Sequence, residues 1–399
     1  MGTPKGLNIL FTSAHFPYPL IGGERVKEYN IIRHLAQNNR VILVCLDRGY
    51  EVKPEYLDEM KKINVEPYYF HINNFNAMAS AAAFTPFGKP LESNFFRHSQ
   101  FRNKILDIVS NNRIDLIINF FIRTAEHVKD LKIKKMLMAE DCRSFYQYQT
   151  FKASKNLRQR IVRSYEAGKL RKYEAEIMNH YDITTVVTEE DYRQMRELNS
   201  IADIRILMQG VDTELFCPPE HNSIRKDMLF IGKLDVWTNI LMVRKIIHEI
   251  FPYIHEKNPD AKLLIVGANP VKEILKEQNE NIIIHANVVD IVPYLQNAVV
   301  FLHPHEGGSG IQNKVLEAMS CACPIITTKS GTNGIGIQSG INGFIAENIS
   351  NFIRYTLDLL NSSELRYSIG INARKYILEN HTWEPIFTQL DEIISELIF

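Results

Sequence analysis

The sequence has no run of apolar residues long enough to cross a membrane. Residues 7–14 are too few to span one, and the chain does not open with the basic and apolar regions of a secretory signal peptide. Gly2 does not begin a myristoylation signal, because Gly occupies position 6. Acidic and basic residues balance at 46 each, so the chain lacks the basic excess of a general nucleic-acid binder. These absences predict a cytoplasmic protein that binds no nucleic acid.

Several motifs that would define other classes of enzyme are also missing. No G-x-G-x-x-G follows the first predicted strand and no P-loop occurs, which makes a dehydrogenase or a P-loop enzyme a poor match. No D-x-D pattern follows a strand, so we expect no required metal. The five cysteines include Cys321 and Cys323, whose spacing is neither a zinc site nor a redox motif. They are predicted to be reduced structural thiols.

The pattern that is present is an alternation of short apolar runs with longer helical segments. It predicts an α/β protein with parallel sheets. A chain of 399 residues is too long for one ordinary domain, and a turn-rich segment at 206–222 marks the boundary. We therefore predict one domain from 1–205 plus the final helix at 383–399, and a second from 206–382. The predicted strands lie at 8–14, 40–46, 66–70, 114–119, 135–139, 183–187, 228–232, 262–267, 281–285, 298–302 and 324–327.

Two segments interrupt or stand out from this alternation. Residues 71–97 are predicted to be a long irregular loop with exposed apolar side chains. Residues 153–172 form a basic segment within a helix predicted at 154–180. The remaining long helices are predicted at 239–256, 309–322 and 350–378.

The segment richest in chemistry is 303–319, HPHEGGSGIQNKVLEAM, which follows a strand and opens a helix. Its glycines let backbone N–H groups approach a ligand, and a helix start presents free N–H groups to an anion. Lys314, one turn into the predicted helix, adds a positive charge, and Glu317 lies three residues on along the same face. For the glycines alone, a plain turn would be the better explanation. A lysine for phosphate beside a carboxylate for hydroxyl groups instead favours a nucleoside diphosphate site.

Two shorter segments also join a strand to a helix. Residues 17–25 carry the pair Gly22 and Gly23, which would bring the backbone close to a phosphate or a sugar, although such turns are common. Residues 230–239 place Lys233 where a cation would reach a phosphate. Asn239 in the same segment is predicted to cap the following helix.

Together these residues resemble the retaining GT-B glycosyltransferases of family four (group 1), and above all the bacterial sugar transferases of exopolysaccharide and exosortase-associated clusters. The likeness consists of GG-x-R at 22–25, GVD-x-x-x-F-x-P at 210–218, G-x-L-D-x-W-x-N at 232–239 and G-x-G-x-x-x-KVLEAM at 308–319. It covers nearly the whole chain and is strongest from 206 to 330. The resemblance implies two Rossmann-like domains facing each other across a cleft, with a nucleotide-sugar donor site in the second.

The resemblance also implies roles for individual residues. Glu317 would bind the ribose hydroxyls, while Lys314 and Lys233 would neutralise the diphosphate. The backbone after Gly267 would lie near the base. Further donor contacts would come from Gly22, Gly23, Arg25, Gly308, Ser309 and Gly310.

This chain departs from the family pattern at the catalytic residues. Members often carry two glutamates separated by seven residues, but Ser309 stands at the first of these positions, so Glu306 is the predicted substitute. Phe120 and Phe121 stand where a histidine usually ends the fourth strand, so Asp141 is predicted to contact the sugar. Lys314 is predicted to compensate for the cation that many members place near position 239. The predicted catalytic residues are thus Glu306, Lys314 and Asp141.

The predicted function is the transfer of a sugar from a nucleoside diphosphate sugar, with retention of configuration, in polysaccharide biosynthesis. The acceptor would be a glycan or a lipid-linked glycan, and neither a permanently bound cofactor nor a metal would be required. Segments 71–97 and 153–172 would rest on the inner face of the cell membrane, and a solvated charged face is an equal alternative for the basic helix. Two other functions stay open, a GT-B nucleotide-sugar epimerase and a non-catalytic nucleotide-sugar binder.

Overall fold

The computed structural model describes residues 4–20, 22–48, 51–84, 88–154, 156–220, 225–307 and 310–398. These residues form two compact units. The first contains the chain up to Met208, Gly310 and the C-terminal segment from Glu384. The second contains Gln209–Gly307 and Ile311–Trp383.

The first unit is built on a parallel sheet whose strands are almost entirely apolar. Parallel strands are covered by helices on both faces, which explains why residues such as Ile9, Leu43 and Ile117 are fully buried. The strand order is β3-β2-β1-β4-β5-β6-β7. The strands are β1 (Asn8–Ser13), β2 (Arg40–Asp47), β3 (Val65–His71), β4 (Leu116–Phe120), β5 (Lys134–Glu140), β6 (Ile183–Val186) and β7 (Ile204–Ile206).

Eight helices of this unit connect or follow the strands. They are α1 (Gly23–Ala36), α2 (Pro54–Lys62), α3 (Asn74–Phe84), α4 (Leu91–Phe95), α5 (Ser99–Asn111), α6 (Arg143–Ala153), α7 (Leu157–Ile177) and α8 (Glu189–Leu198). The long helix predicted at 154–180 begins at Leu157, because the Asn156 side chain accepts the N–H groups of Arg158 and Gln159 and caps it.

The prediction of an irregular loop at 71–97 is wrong. Two helices, α3 and α4, occupy most of it. The sequence of α3 is rich in alanine, a strong helix former, but its apolar residues show no helical period. At α4, the buried carboxylate of Glu166 accepts the N–H groups of Leu91 and Glu92, which is a partner from a distant part of the chain. A contact with a distant residue therefore stabilises the start of α4, which the local sequence pattern did not predict.

The second unit repeats the architecture with a smaller parallel sheet. Its strand order is β10-β9-β8-β11-β12-β13. Two short strands, β7 in the first unit and β13 here, were not predicted, because runs of two or three residues show no period. The strands are β8 (Asp227–Ile231), β9 (Leu263–Gly267), β10 (Ile282–Ala286), β11 (Ala298–His303), β12 (Ile325–Thr327) and β13 (Phe344–Ile345).

The helices of the second unit correct two further predictions. The segment predicted as one helix at 350–378 is two helices, because the Ser362 hydroxyl accepts the N–H of Leu365 and starts a new one. The segment predicted as one helix at 239–256 contains a π-helical turn at Ile246–Ile250. The helices are α9 (Trp237–Lys245), α10 (Phe251–Lys257), α11 (Lys272–Leu275), α12 (Val292–Asn297), α13 (Asn313–Ser320), α14 (Ile349–Asn361) and α15 (Ser363–Asn380).

The last helix, α16 (Trp383–Ile398), lies with the first unit from Glu384 onward. It packs on α1, where the ring of Phe387 stacks on His34 with 4.3 Å between centroids. His34 Nε2 also lies 2.9 Å from the carboxylate of Asp391. Leu390 and Ile394 of the same helix are fully buried. The first unit is therefore assembled from both ends of the described chain.

Candidate functional site

The loop between β11 and α13 contains two glycines with positive φ angles. Gly307 and Gly310 have φ angles of 73° and 71°, which L-residues with side chains rarely adopt. Helix α13 begins at Asn313, with Gln312 as an N-cap residue that makes no side-chain hydrogen bond. Its first N–H groups are therefore available to an anion. Gly308 and Ser309, two of the predicted donor contacts, lie outside the described residues.

Lys314 occupies the first turn of α13, where the predicted helix start at 309 had placed it one turn in. Its ammonium donates to Asn239 Oδ1 at 2.6 Å and lies 5.6 Å from the ring centroid of Phe230. Burial lowers the pKa of Lys314 to about 8, and the charge of Glu317 limits that decrease. The site thus holds a cation with incomplete compensation, which a bound anion would stabilise.

Asn239 does not cap a helix, so that prediction is wrong. Helix α9 begins at Trp237 after Val236, and Asn239 is its third residue. Its amide donates to the carbonyl oxygen of Lys233 at 2.8 Å, while its Oδ1 accepts from Lys314. Asn239 therefore links the loop after β8 to the start of α13.

Glu317 lies one turn after Lys314 and is half-buried. Burial raises the pKa of Glu317 to about 7, and the positive charge of Lys314 opposes the increase. Within the part of the chain that the structure describes, no group donates a hydrogen bond to its carboxylate. An acceptor group held without a partner at this place is suited to hydroxyl groups of a ligand.

Two histidines near this loop had no role in the sequence-based prediction. His303 is fully buried at the end of β11, and its Nδ1 lies 2.9 Å from Thr327 Oγ1. The ring of His305 stacks on it with 5.3 Å between centroids. Burial and the charge of Lys314 lower the pKa of both rings, that of His305 to about 3. They are neutral packing groups beneath the loop, and only the folded structure identifies them as such.

Three further predicted residues of the second unit are placed as follows. Lys233 follows β8 and is half-buried. Gly267 ends β9, and a Cβ there would come within 1.8 Å of the carbonyl oxygen of Gly232, so only glycine fits. Glu306 is exposed, and its carboxylate pairs with Lys245 of α9. The carboxylate of Glu306 therefore already has an ion-pair partner, Lys245.

In the first unit, the predicted glycines lie at the start of α1. Gly22 is the N-cap residue, with a φ of 94° and no side-chain capping bond, and Gly23 is the first helical residue. Arg25 is buried in the same helix, and its charge acts on Asp47 at the end of β2. The start of α1 therefore presents backbone N–H groups, as the start of α13 does.

Asp141 follows β5 and belongs to a cluster of charged side chains. Arg143 contacts Asp141 at 3.2 Å and Glu92 at 3.3 Å, and Arg123 contacts Glu92 at 2.7 Å. Although burial opposes ionisation, the two arginines hold the pKa of Glu92 at about 2. Asp141, the predicted sugar contact, thus lies among paired charges. The guanidinium groups there can donate hydrogen bonds, and the carboxylates can accept them.

Neither a metal cluster nor a membrane-spanning helix is found in the described ranges. No group of three or more His, Cys, Asp or Glu side chains there is arranged to hold a metal ion. None of the helices described combines the length and the apolar character needed to cross a bilayer.

Comparison with known proteins gives one family match, which lies in the second unit, and several partial relatives. Residues 225–362 match the family described as glycosyl transferases group 1. The capsular polysaccharide biosynthesis glycosyltransferase CapM of Staphylococcus aureus is 26% identical over 199 residues, which is 45% of this chain and 49% of that protein. A GDP-mannose-dependent α-(1-6)-phosphatidylinositol monomannoside mannosyltransferase of Mycolicibacterium smegmatis is 24% identical over 244 residues, 55% of this chain and 63% of that protein. The chain spans about half the length of the first curated relatives that it matches.

A solved structure resembles the chain over almost its whole length. The HepE protein of Anabaena, in complex with UDP and glucose, matches with a TM-score of 0.70 at 12% identity, covering 98% of this chain and 100% of that one. This likeness shows the fold, and it confirms the prediction of a GT-B protein with two Rossmann-like units. The region similar to group 1 glycosyl transferases thus lies in the second unit, and relatives of the chain include a capsule biosynthesis glycosyltransferase.

The opposed charges of Lys314 and Glu317 lead to a prediction about the site itself. Glu317→Gln should lower the pKa of Lys314 further below 8, by about one pH unit, because the carboxylate favours the ammonium form. The pKa can be followed by NMR of ¹³C-dimethylated lysines, with the Lys314→Arg spectrum identifying the resonance. Glu306→Gln, which removes an exposed carboxylate paired with Lys245, should leave the resonance unchanged. Equal titration curves for Glu317→Gln and the wild type would show that the two charges do not interact.

Proposed function

We propose that this protein is a glycosyltransferase that moves a sugar from a nucleoside diphosphate sugar to a glycan or lipid-linked glycan. The observation that carries the proposal is the placement of Lys314 in the first turn of α13, a helix without a side-chain cap. The lysine and the free N–H groups suit a diphosphate, and Glu317, one turn later, suits the ribose hydroxyls. Both residues lie within the region that matches group 1 glycosyl transferases.

The chemical step would depend on stabilising the leaving diphosphate. As the bond between the sugar and the phosphate oxygen breaks, negative charge develops on the diphosphate. Lys314, Lys233 and the N–H groups at the start of α13 would stabilise that charge, which lowers the barrier without a metal ion. Because Lys314 is already partly desolvated, its interaction with the anion is stronger than it would be in water.

The remaining predicted residues take supporting roles in this proposal. Gly308, Ser309 and Gly310 would bring backbone N–H groups to the phosphates, and Gly267 would let the base approach the end of β9. In the first unit, Gly22, Gly23 and Arg25 would contact the distal phosphate or the sugar. Asp141 and Glu306 would contact the transferred sugar. Glu306 would take the place of the glutamate that the family pattern has where this chain has Ser309.

Three features of the relatives support the substrate class. HepE was crystallised with UDP and glucose, and the mycobacterial relative is named for GDP-mannose and a phosphatidylinositol acceptor. CapM is named for capsular polysaccharide biosynthesis. We therefore place this chain in the synthesis of a bacterial-type polysaccharide or glycolipid and expect one of the common nucleoside diphosphates as the donor.

Lys314→Gln is expected to weaken binding of the preferred nucleoside diphosphate about 30-fold or more, because truncating one partner of a desolvated charge pair costs about 2–5 kcal/mol. In the wild type, affinity should fall as the pH rises past about 8, where the free protein loses the Lys314 proton that favours the anion. The limiting slope is about tenfold per pH unit. Isothermal titration calorimetry with UDP, GDP, ADP and dTDP measures both effects.

Lys276→Gln serves as the control, because Lys276 is an exposed lysine of the same unit beyond α11. It should leave both the affinity and its pH dependence unchanged. Wild-type affinity in Lys314→Gln would contradict the role of the lysine. A folded wild-type protein that binds none of the four nucleotides would contradict the proposed function. Tight binding without transfer or hydrolysis would favour the non-catalytic binder, and a new epimer formed without acceptor would favour the epimerase.

We also infer that transfer proceeds with retention of configuration, which rests on the resemblance to family four. The departing diphosphate oxygen would take the proton of the acceptor hydroxyl on the same face of the sugar, so the new bond forms where the old one breaks. The anomeric proton of the first product, observed by NMR, should show the coupling constant of the donor's configuration. A product of the opposite configuration would contradict this mechanism while leaving the donor class intact.

The face of α7 that is open to solvent is the best candidate for contact with a membrane. Leu157, Ile161 and Tyr165 are 71%, 62% and 47% exposed and recur every four residues. The one acidic residue between positions 157 and 172, Glu166, is buried. The basic residues of the same stretch are Arg158, Arg160, Arg163, Lys169, Arg171 and Lys172. Apolar side chains framed by cations suit the surface of an anionic bilayer, where a lipid-linked acceptor would be found.

Replacing both Leu157 and Ile161 by Ser should reduce binding to vesicles of phosphatidylglycerol and phosphatidylcholine by about tenfold or more, because two apolar side chains no longer enter the interface. Co-sedimentation measures the bound fraction, and high salt should weaken it. Ile201→Ser is the matched control, since Ile201 is 91% exposed but lies outside α7. If the wild type sediments with neither anionic nor neutral vesicles, the face is simply solvated.

A further inference from the structure

A histidine and a glutamate form an isolated pair at the carboxyl edge of the first sheet. His15 follows β1, and its Nε2 lies 2.8 Å from Glu28 Oε2 in α1. The Glu28 side chain is completely buried, while the His15 side chain keeps 12% of its surface exposed. The contact is an ion pair rather than a hydrogen bond, because neither Nε2 nor the Glu28 carboxylate has a hydrogen-bond partner among the described residues. The pair therefore runs from a buried acid outward to an imidazole at the surface of the edge.

The contact with Glu28 leaves the other ring nitrogen of His15 open to a ligand. Nε2 faces the buried carboxylate. No hydrogen bond to Nδ1 is found among the described residues. A ring nitrogen of histidine can accept or donate a hydrogen bond and a hydroxyl group can do the same, so Nδ1 suits a hydroxyl.

The surroundings of His15 are those of a binding site. Its ring packs against Phe120 and Phe121, at 6.1 Å and 6.3 Å between centroids. Phe121 has a φ of 63°, which is unusual for a bulky residue and often occurs at functional positions. The charges of His15 and Arg123 both act on Glu24, at the start of α1. Guanidinium, carboxylate and imidazole groups therefore converge beside the rings.

The position in the sheet supports the same conclusion. In the order β3-β2-β1-β4-β5, the chain moves outward from β1 on one side and resumes with β4 on the other. Ligands of open parallel sheets bind at the carboxyl edge where the strand order reverses in this way. His15 follows β1 and Phe121 follows β4, so both stand at that point.

A purely structural role explains the pair poorly. Burying a carboxylate costs several kcal/mol, and one ion pair with a partly exposed imidazole offsets this only in part. An apolar side chain at position 28 would serve packing as well or better. His34 and Asp391 show how a structural pair in this unit differs, because there the imidazole also stacks on Phe387 and the carboxylate is not fully buried.

We propose that His15 contacts the substrate through Nδ1, by a hydrogen bond with a sugar hydroxyl, and that Glu28 is the residue that positions it. This rests on the proposed function, since it takes the ligand of the first unit to be a sugar. The hydroxyl belongs either to the acceptor or to the sugar carried by the donor. The chemistry of the contact is the same in both cases, and the measurements below distinguish the two.

The test compares wild type with His15→Ala, His15→Asn and Glu28→Gln. Calorimetry gives the affinity for UDP and for UDP-glucose, or for the nucleotide pair that the wild type prefers. Kinetics give KM and kcat for transfer to octyl glucoside as the acceptor probe. Asn at position 15 keeps an acceptor atom near the place of Nδ1, so it should recover part of what His15→Ala loses. Glu28→Gln keeps the shape of the side chain but removes the charge that attracts the imidazole, and it should show an intermediate loss.

If His15 binds the donor sugar, His15→Ala should reduce affinity for the sugar nucleotide about tenfold and leave affinity for the nucleotide unchanged. If it binds the acceptor, both affinities stay unchanged, and the KM for octyl glucoside rises about tenfold. His34→Ala is the matched control, and it should lower Tm without altering either comparison. The proposal is overturned if His15→Ala changes neither comparison, or if it reduces both nucleotide affinities equally together with Tm. A wild type that binds neither nucleotide nor sugar nucleotide would overturn the proposed function as well.

Discussion

The first unit depends on a lysine and a glutamate that are buried together. The Lys27 ammonium donates to the carbonyl oxygen of Leu207 at 2.8 Å and lies 3.0 Å from Glu140 Oε1. These contacts tie α1 to the end of β5 and to the chain just after β7. Glu140 has a φ of 68°, and burial raises its pKa to about 6 while Lys27 opposes the rise. Loss of either partner would leave a buried charge uncompensated, a cost of about 3–5 kcal/mol. The start of α1 and the loop after β5, which carry the proposed sugar contacts, are thereby held to one sheet.

In the second unit, the candidate site contains a cation whose charge is only partly compensated. Lys314 has one neutral hydrogen-bond partner, Asn239, and a carboxylate one turn away that is itself partly desolvated. The family resemblance places a cation near position 239, and here the amide of that residue holds the cation of another helix. Compared with that pattern, the cation lies on α13 rather than on α9, at the carboxyl edge of the same sheet. Under the proposed function, this placement would make the departure at position 239 compatible with a diphosphate donor.

Most features that depend on residues close together in the sequence could be predicted, whereas features that depend on distant partners could not. Near-continuous apolar runs identified the long strands of both sheets, because strands covered on both faces carry a local signal. Helix α4 was missed because Glu166, far away in sequence, satisfies its first N–H groups. The break at Ser362 was missed because it depends on a local hydrogen bond, in which the serine hydroxyl accepts the N–H of Leu365. At the site, the spacing of Lys314 and Glu317 was visible, whereas the partnership of Asn239 with Lys314 and that of His15 with Glu28 needed folded distances.

The candidate site of each unit has a different balance of charge, which suits different ligand groups. In the second unit the ammonium of Lys314 has no ion-pair partner within the described residues, so an anion is the ligand that completes it. At the edge of the first unit, Arg123 and Arg143 are already paired with Glu92, and His15 lies in contact with the carboxylate of Glu28. Neutral groups with many hydroxyls fit such an edge better than phosphates do, because the charges present are already compensated. Under the proposed function, the contrast in charge compensation favours phosphate groups beside Lys314 and sugar hydroxyls beside His15.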